Sequence, residues 1–109
     1  MLIALIALLA GLQPGLYRSQ TMEVGAALLL NPDGHFRYQL DYGAVSEAAE
    51  GRWSAKDGIV TLNSTRMEGN WREDIFRDQP LQIDGDTLIL IRYGSKIRFV
   101  HEPEDQNGE

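Results

Sequence analysis

The amino-acid sequence predicts an all-β fold, an antiparallel meander of about eight short strands. Two observations carry that prediction. Apolar and polar residues alternate from Leu28 to Tyr42 on both sides of Asn31-Pro32-Asp33-Gly34, which spells a complete β-hairpin. Similar turn signals, Asp57-Gly58, Gly85-Asp86 and Gly94-Ser95, recur between apolar runs toward the end of the chain. With 109 residues, 43% of them hydrophobic and 24% charged, there is material for one core and not for two.

Taken in order, the chain opens on an apolar run, Met1 to Ala10. It is too short to cross a bilayer as a helix, which takes about 20 residues. Its length fits the hydrophobic region of a secretory signal, with Ala10 or Gly11 as the small residue for cleavage. A buried first strand or helix is the alternative. Leu9-Ala10-Gly11 has the form of a lipoprotein cleavage box, but Leu12 stands where the acylated cysteine belongs. Residues 1–13 are therefore read as a signal peptide and residues 14–101 as the β domain. Residues 102–109 are read as a disordered acidic tail with no apolar side chain to bury.

The first strand is expected near Leu16 to Thr21 and the second from about Gly25 to Asn31. In the following turn Pro32 presets the backbone, and Gly34 accepts the left-handed conformation. A type I turn with a glycine bulge sets Leu30 opposite Phe36, Leu28 opposite Tyr38 and Ala26 opposite Leu40. All six share one face, while His35, Arg37, Gln39 and Asp41 take the other. Turn chemistry and alternation agree on the register.

Glu50 to Ala55 and Ile59 to Ser64 make the next hairpin. A two-residue turn at Asp57-Gly58 places Trp53 opposite Leu62 and Ala55 opposite Val60, whereas a three-residue loop would set Trp53 against Thr61. Thr65 to Asp78 breaks the rhythm with mixed charges and is read as an irregular connection, in which Asn70 followed by Glu73 allows one helical turn. Leu81 to Asp84, Thr87 to Arg92 and Lys96 to His101 then follow through Gly85-Asp86 and Gly94-Ser95. Their inner face holds Leu81, Ile83, Leu88, Leu90, Ile97 and Phe99, joined by Arg92 and His101. Ile89 and Ile91 point outward, toward a cover or a partner, with a cover the expectation.

Five segments then stand in a telling order. They are Gly15-Leu16-Tyr17, the turn from Leu30 to Phe36, Gly51-Arg52-Trp53, Gly58-Ile59-Val60-Thr61-Leu62 and Gly85-Asp86-Thr87-Leu88-Ile89-Leu90. In that order they resemble bacterial lipocalin-like domains, over nearly the whole chain after the apolar leader. Tyr17 departs from the tryptophan usual in that family. The resemblance implies an exported protein, periplasmic or secreted, folded as a small, roughly eight-stranded up-and-down barrel.

The lumen of such a barrel is either filled or holds one small ligand. On the register above, Tyr38, Tyr42, Trp53, Arg92 and His101 face inward and are the candidate ligand-binding residues. Arg92 would grip a carboxylate in two-pronged fashion, so a small apolar or carboxylate-bearing ligand is expected. The plainer reading is that the aromatics fill the core and Arg92 and His101 reach water at strand ends. Trp71, with Arg72, is the candidate partner-binding residue, either a lid on the barrel or an exposed anchor. An interaction or accessory module with a filled core, working through the Trp71 loop or the Ile89/Ile91 face, is the alternative function.

Other classes find little support. There are 0 cysteines, no paired histidines, no phosphate loop and no nucleophile motif, so no enzyme, metal or cofactor is expected. A net charge of −6 disfavours nucleic acid and docking on anionic headgroups. No stable membrane insertion is expected once the leader is removed.

Overall fold

The computed structural model describes residues 12–21, 24–69 and 76–103. The expectations for residues 1–11, for Asn70, Trp71, Arg72 and Glu73, and for residues 104–109 lie outside the described residues. Eight strands run through the rest. They are β1 (Gly15–Gln20), β2 (Val24–Leu30), β3 (His35–Tyr42), β4 (Val45–Lys56), β5 (Ile59–Gly69), β6 (Gln79–Asp84), β7 (Thr87–Arg92) and β8 (Ser95–His101). Each pairs with the next, and β8 returns antiparallel to β1 through Tyr17↔His101 and Arg18↔Val100. The fold is a closed, antiparallel, up-and-down β-barrel.

Turn chemistry sets most of the register. Gly34 sits at φ 93°, and its N–H donates to the Asn31 carbonyl at 3.0 Å, closing the type I turn. The pairs Leu30↔Phe36, Leu28↔Tyr38 and Ala26↔Leu40 follow, as expected. Asp57 and Gly58 both have positive φ, the type I′ signature, and Trp53 lies opposite Leu62.

Three expectations need correction. Val45–Lys56 is one strand, reached from β3 through Gly43-Ala44; its first half carries little strand signal, because alanine and glutamate have low strand preference. Thr65 to Gly69 continues β5 instead of forming an irregular connection. A β-bulge permits the continuation: Glu50 pairs with Arg66 but Gly51 with Ser64, leaving Thr65 as the extra residue. Only glycine fits at position 51, since a Cβ there would lie 2.1 Å from the Asn63 carbonyl oxygen. Last, the β7–β8 turn is Tyr93-Gly94, not Gly94-Ser95. Leu90 therefore pairs with Ile97, two residues from the expected partner, with every side chain on its expected face.

Inward positions carry the core. Leu28, Leu30, Phe36, Leu40, Val60, Leu62, Leu81, Leu88, Leu90 and Phe99 are all fully buried in one cluster. An eight-stranded barrel is just wide enough for side chains to fill, and these side chains fill it. Each buried large apolar side chain is worth about 1.5–3 kcal/mol. On the outside, no cover lies over Ile91 among the described residues. It is 57% exposed, and Val100, toward the other end of the same wall on β8, 47%.

Candidate functional site

The strand directions divide the polar interior residues between two mouths. The N-terminal mouth holds the start of β1, the end of β8 and the β2–β3, β4–β5 and β6–β7 turns. The far mouth holds the β3–β4 and β7–β8 turns and the connections after β1 and β5.

At the N-terminal mouth Leu12 is buried in the core cluster. Half-buried Trp53 donates from Nε1 to the Asn31 carbonyl at 2.8 Å, tying β4 to the β2–β3 turn. The Tyr17 hydroxyl donates to the Gln13 carbonyl at 2.5 Å. His101 Nε2 lies 3.2 Å from the Pro14 carbonyl oxygen, with its ring edge-on to Tyr17. Apolar surface and contacts to backbone carbonyls close this end.

The far mouth is built around Glu47, whose side chain is 0% exposed. Arg92, the last residue of β7, donates from Nε to Oε2 at 2.8 Å and from Nη2 to Oε1 at 3.0 Å. The Tyr38 hydroxyl adds a bond to Oε2 at 2.7 Å and the Tyr93 hydroxyl one to Oε1 at 2.5 Å. Tyr93 reaches Glu47 from the turn, where its φ of 53° is unusual for a bulky residue. Phe76 roofs the cluster, its ring centroid 4.8 Å from Arg92 Cζ. Ser64 holds Phe76 in place: its N–H donates to the Phe76 carbonyl at 2.9 Å, and its hydroxyl accepts from the Phe76 N–H at 3.0 Å.

The electrostatics follow from this geometry. Burial by itself would raise the Glu47 pKa, but hydrogen bonds from Arg92, Tyr93 and Tyr38 outweigh it and hold the carboxyl below its ordinary value. Burial opposes the charge on Arg92, yet Glu47 more than compensates and raises its pKa. Burial, together with the Glu47 charge, pushes the Tyr38 hydroxyl far up. None of the three shifts toward neutral pH, where a general acid or base works best. Chemically the cluster is a paired, hydrogen-bonded ion bridge.

The five candidate interior residues do not share a site. Tyr38 and Arg92 belong to the Glu47 cluster, and half-buried Tyr42 stands near it, 3.2 Å from Ser95 Oγ. Trp53 and His101 lie at the opposite mouth, with the packed core between. The carboxylate expected from a ligand at Arg92 is supplied by the chain itself. Glu47, Phe76 and Tyr93 are not among the candidate residues that the sequence offers. For Glu47 the signal is parity: counting back by twos from inward Trp53 passes Gly51 and Ala49 and reaches Glu47.

Two parts of the outer wall also differ. Across β1–β5, small Ala27 and Ala48 leave a trough of about 370 Å³. Its charged rim is balanced. Arg37 faces Glu50 across the strands, and Arg66 pairs with Glu68 at 2.6 Å. The wall of β7, β8 and β1 instead presents Ile89, Ile91 and Val100 with Arg18, Lys96 and Arg98, and no acid on those strands.

Compared with known proteins, the chain matches no family model, no curated protein and no solved structure.

Proposed function

We propose that the protein is an exported, non-enzymatic, lipocalin-like barrel that serves as an interaction or accessory module. Its filled lumen is scaffold and its outer wall is the working surface. The observation that carries this reading is the Glu47–Arg92 ion pair. The only interior cation suited to hold a ligand carboxylate among the described residues is already bonded twice within the chain. Fully buried leucines and phenylalanines occupy the space behind it. Export fits the apolar leader with cleavage before Leu12 in place of the boundary after residue 13 read from the sequence, because Leu12 is buried in the core and the Gln13 carbonyl accepts from Tyr17.

A second reading, a lumen carrier of a small apolar or carboxylate-bearing molecule, draws on one observation. Tyr38, Tyr42 and Arg92 do converge at one mouth, and the closed barrel is an architecture able to hold one small ligand. Titration of the purified protein with a long-chain carboxylate and with an apolar fluorescent dye separates the two. The module reading expects no saturable uptake of either. Saturable uptake, with Arg92 signals moving on addition of the carboxylate, would establish the carrier instead.

A further inference from the structure

We infer that the outer wall of β7, β8 and β1 is a peripheral docking surface for an anionic lipid headgroup layer. The inference rests on the reading of the barrel as a module that works through its outside, and it names the partner.

Charge segregation is the first argument. Arg18, Lys96 and Arg98 project outward on adjoining strands, and none has an ion-pair partner among the described residues. The three are drawn from the chain's 10 bases, and none of its 16 acids lies within β1, β7 or β8. A net charge of −6 sums over the whole chain and does not describe this wall. The Debye length is about 8 Å at physiological salt, while the molecule measures 40 × 32 × 23 Å. Acids on the opposite side are screened from whatever meets this wall. Among the described residues the acids that flank the wall are Asp84 at the end of β6, Asp86 in the β6–β7 turn and Glu102 just past β8, all at the N-terminal mouth and away from Lys96 at the start of β8.

The apolar residues supply the second argument. Exposed Ile91 stands beside Lys96 and exposed Val100 beside Arg18, with half-buried Ile89 beside Arg98. Exposed aliphatics between long cationic stems are the pattern of surfaces that rest at a headgroup boundary. Protein interfaces favour aromatic anchors, and no aromatic side chain projects from β7, β8 or β1 on this wall. The pattern therefore favours lipid over an acidic protein. Each base near an anionic surface strengthens partitioning about fivefold, and three without a lipid anchor give reversible attachment.

The test is co-sedimentation of the full chain with vesicles of phosphatidylglycerol and phosphatidylcholine in equal parts, against phosphatidylcholine alone. We expect binding to the anionic vesicles only, released by high salt. The double variant Lys96→Glu, Arg98→Glu should lose more than about tenfold in partitioning. Arg37→Glu with Arg52→Glu changes the net charge equally from the opposite wall and should bind nearly as well as wild type. Ile91→Ser should weaken binding without altering its salt response. Failure of the folded wild type to bind anionic vesicles overturns the inference, as does equal loss in the two double variants. Capture of polyglutamate in place of vesicles also overturns it and assigns the wall to an acidic protein. These outcomes are separate from failure of the module reading, which saturable uptake into the lumen reports.

Discussion

At the N-terminal mouth, Leu12 and Trp53 cover the core with apolar surface, helped by a hydrogen bond to a turn carbonyl; at the far mouth, four donors converge on one buried carboxylate. The two closures respond differently to change. An apolar cap weakens in proportion to the surface removed. An ion bridge with both partners desolvated is all or none, because losing one partner leaves the other charged, buried and unpaired. Sensitivity to charge and pH should therefore belong to one mouth and not the other.

The largest expected effect tests this directly. Glu47→Ala strands Arg92, whose side chain is only 10% exposed, and should lower stability by about 3–5 kcal/mol. In thermal denaturation that is a Tm lower by more than about 12 °C. Leu12→Ala at the other mouth should lower stability by about 2 kcal/mol, the low end for a buried leucine, since it sits on the rim. Equal losses at the two positions would break the comparison.

Acid titration sharpens it. The folded-state pKa of Glu47 lies below its ordinary value of 4.5. Its contribution is therefore complete above the unfolded-state pKa and is lost as pH falls through the folded one. Wild-type Tm should drop in that acid window, Leu12→Ala should drop in parallel, and Glu47→Gln should show a flatter acid limb. A Glu47→Gln curve parallel to wild type would remove Glu47 as the acid-sensitive group. The smallest effect is Trp53→Phe, which keeps an aromatic ring at this half-buried position but deletes the bond to Asn31. It should lower stability by about 1 kcal/mol, equally at acid and neutral pH in chemical denaturation.

The two mouths also differ in how far they could be read from the sequence. Trp53 was placed correctly because Asp57-Gly58 permits one two-residue turn and the apolar partners agree with it. The β2–β3 register was legible for the same reason: Asn31-Pro32-Asp33-Gly34 and the flanking alternation point to a single pairing. The far mouth offers no such agreement. Gly43-Ala44 is a weak turn signal, and Ser46-Glu47-Ala48-Ala49 has the composition of a helix or loop more than a strand. Neighbouring strands impose the extended conformation there, and with it the burial of Glu47. At the β7–β8 turn, local preference favours glycine first, yet Tyr93 takes the left-handed position and its hydroxyl bonds Glu47. Tertiary contacts override local chemistry around the ion bridge, so the bridge was the part left unread. The basic wall was hidden differently: net charge sums over the chain, and only the fold shows which charges share a face.

Native mass spectrometry of the folded protein, purified from its own host, reads the lumen most directly. A lumen filled by its own side chains and sealed by Glu47–Arg92 predicts the mass of the polypeptide alone. A discrete additional mass that remains on the folded protein and leaves on denaturation would mean the barrel carries a ligand, and would contradict the scaffold account.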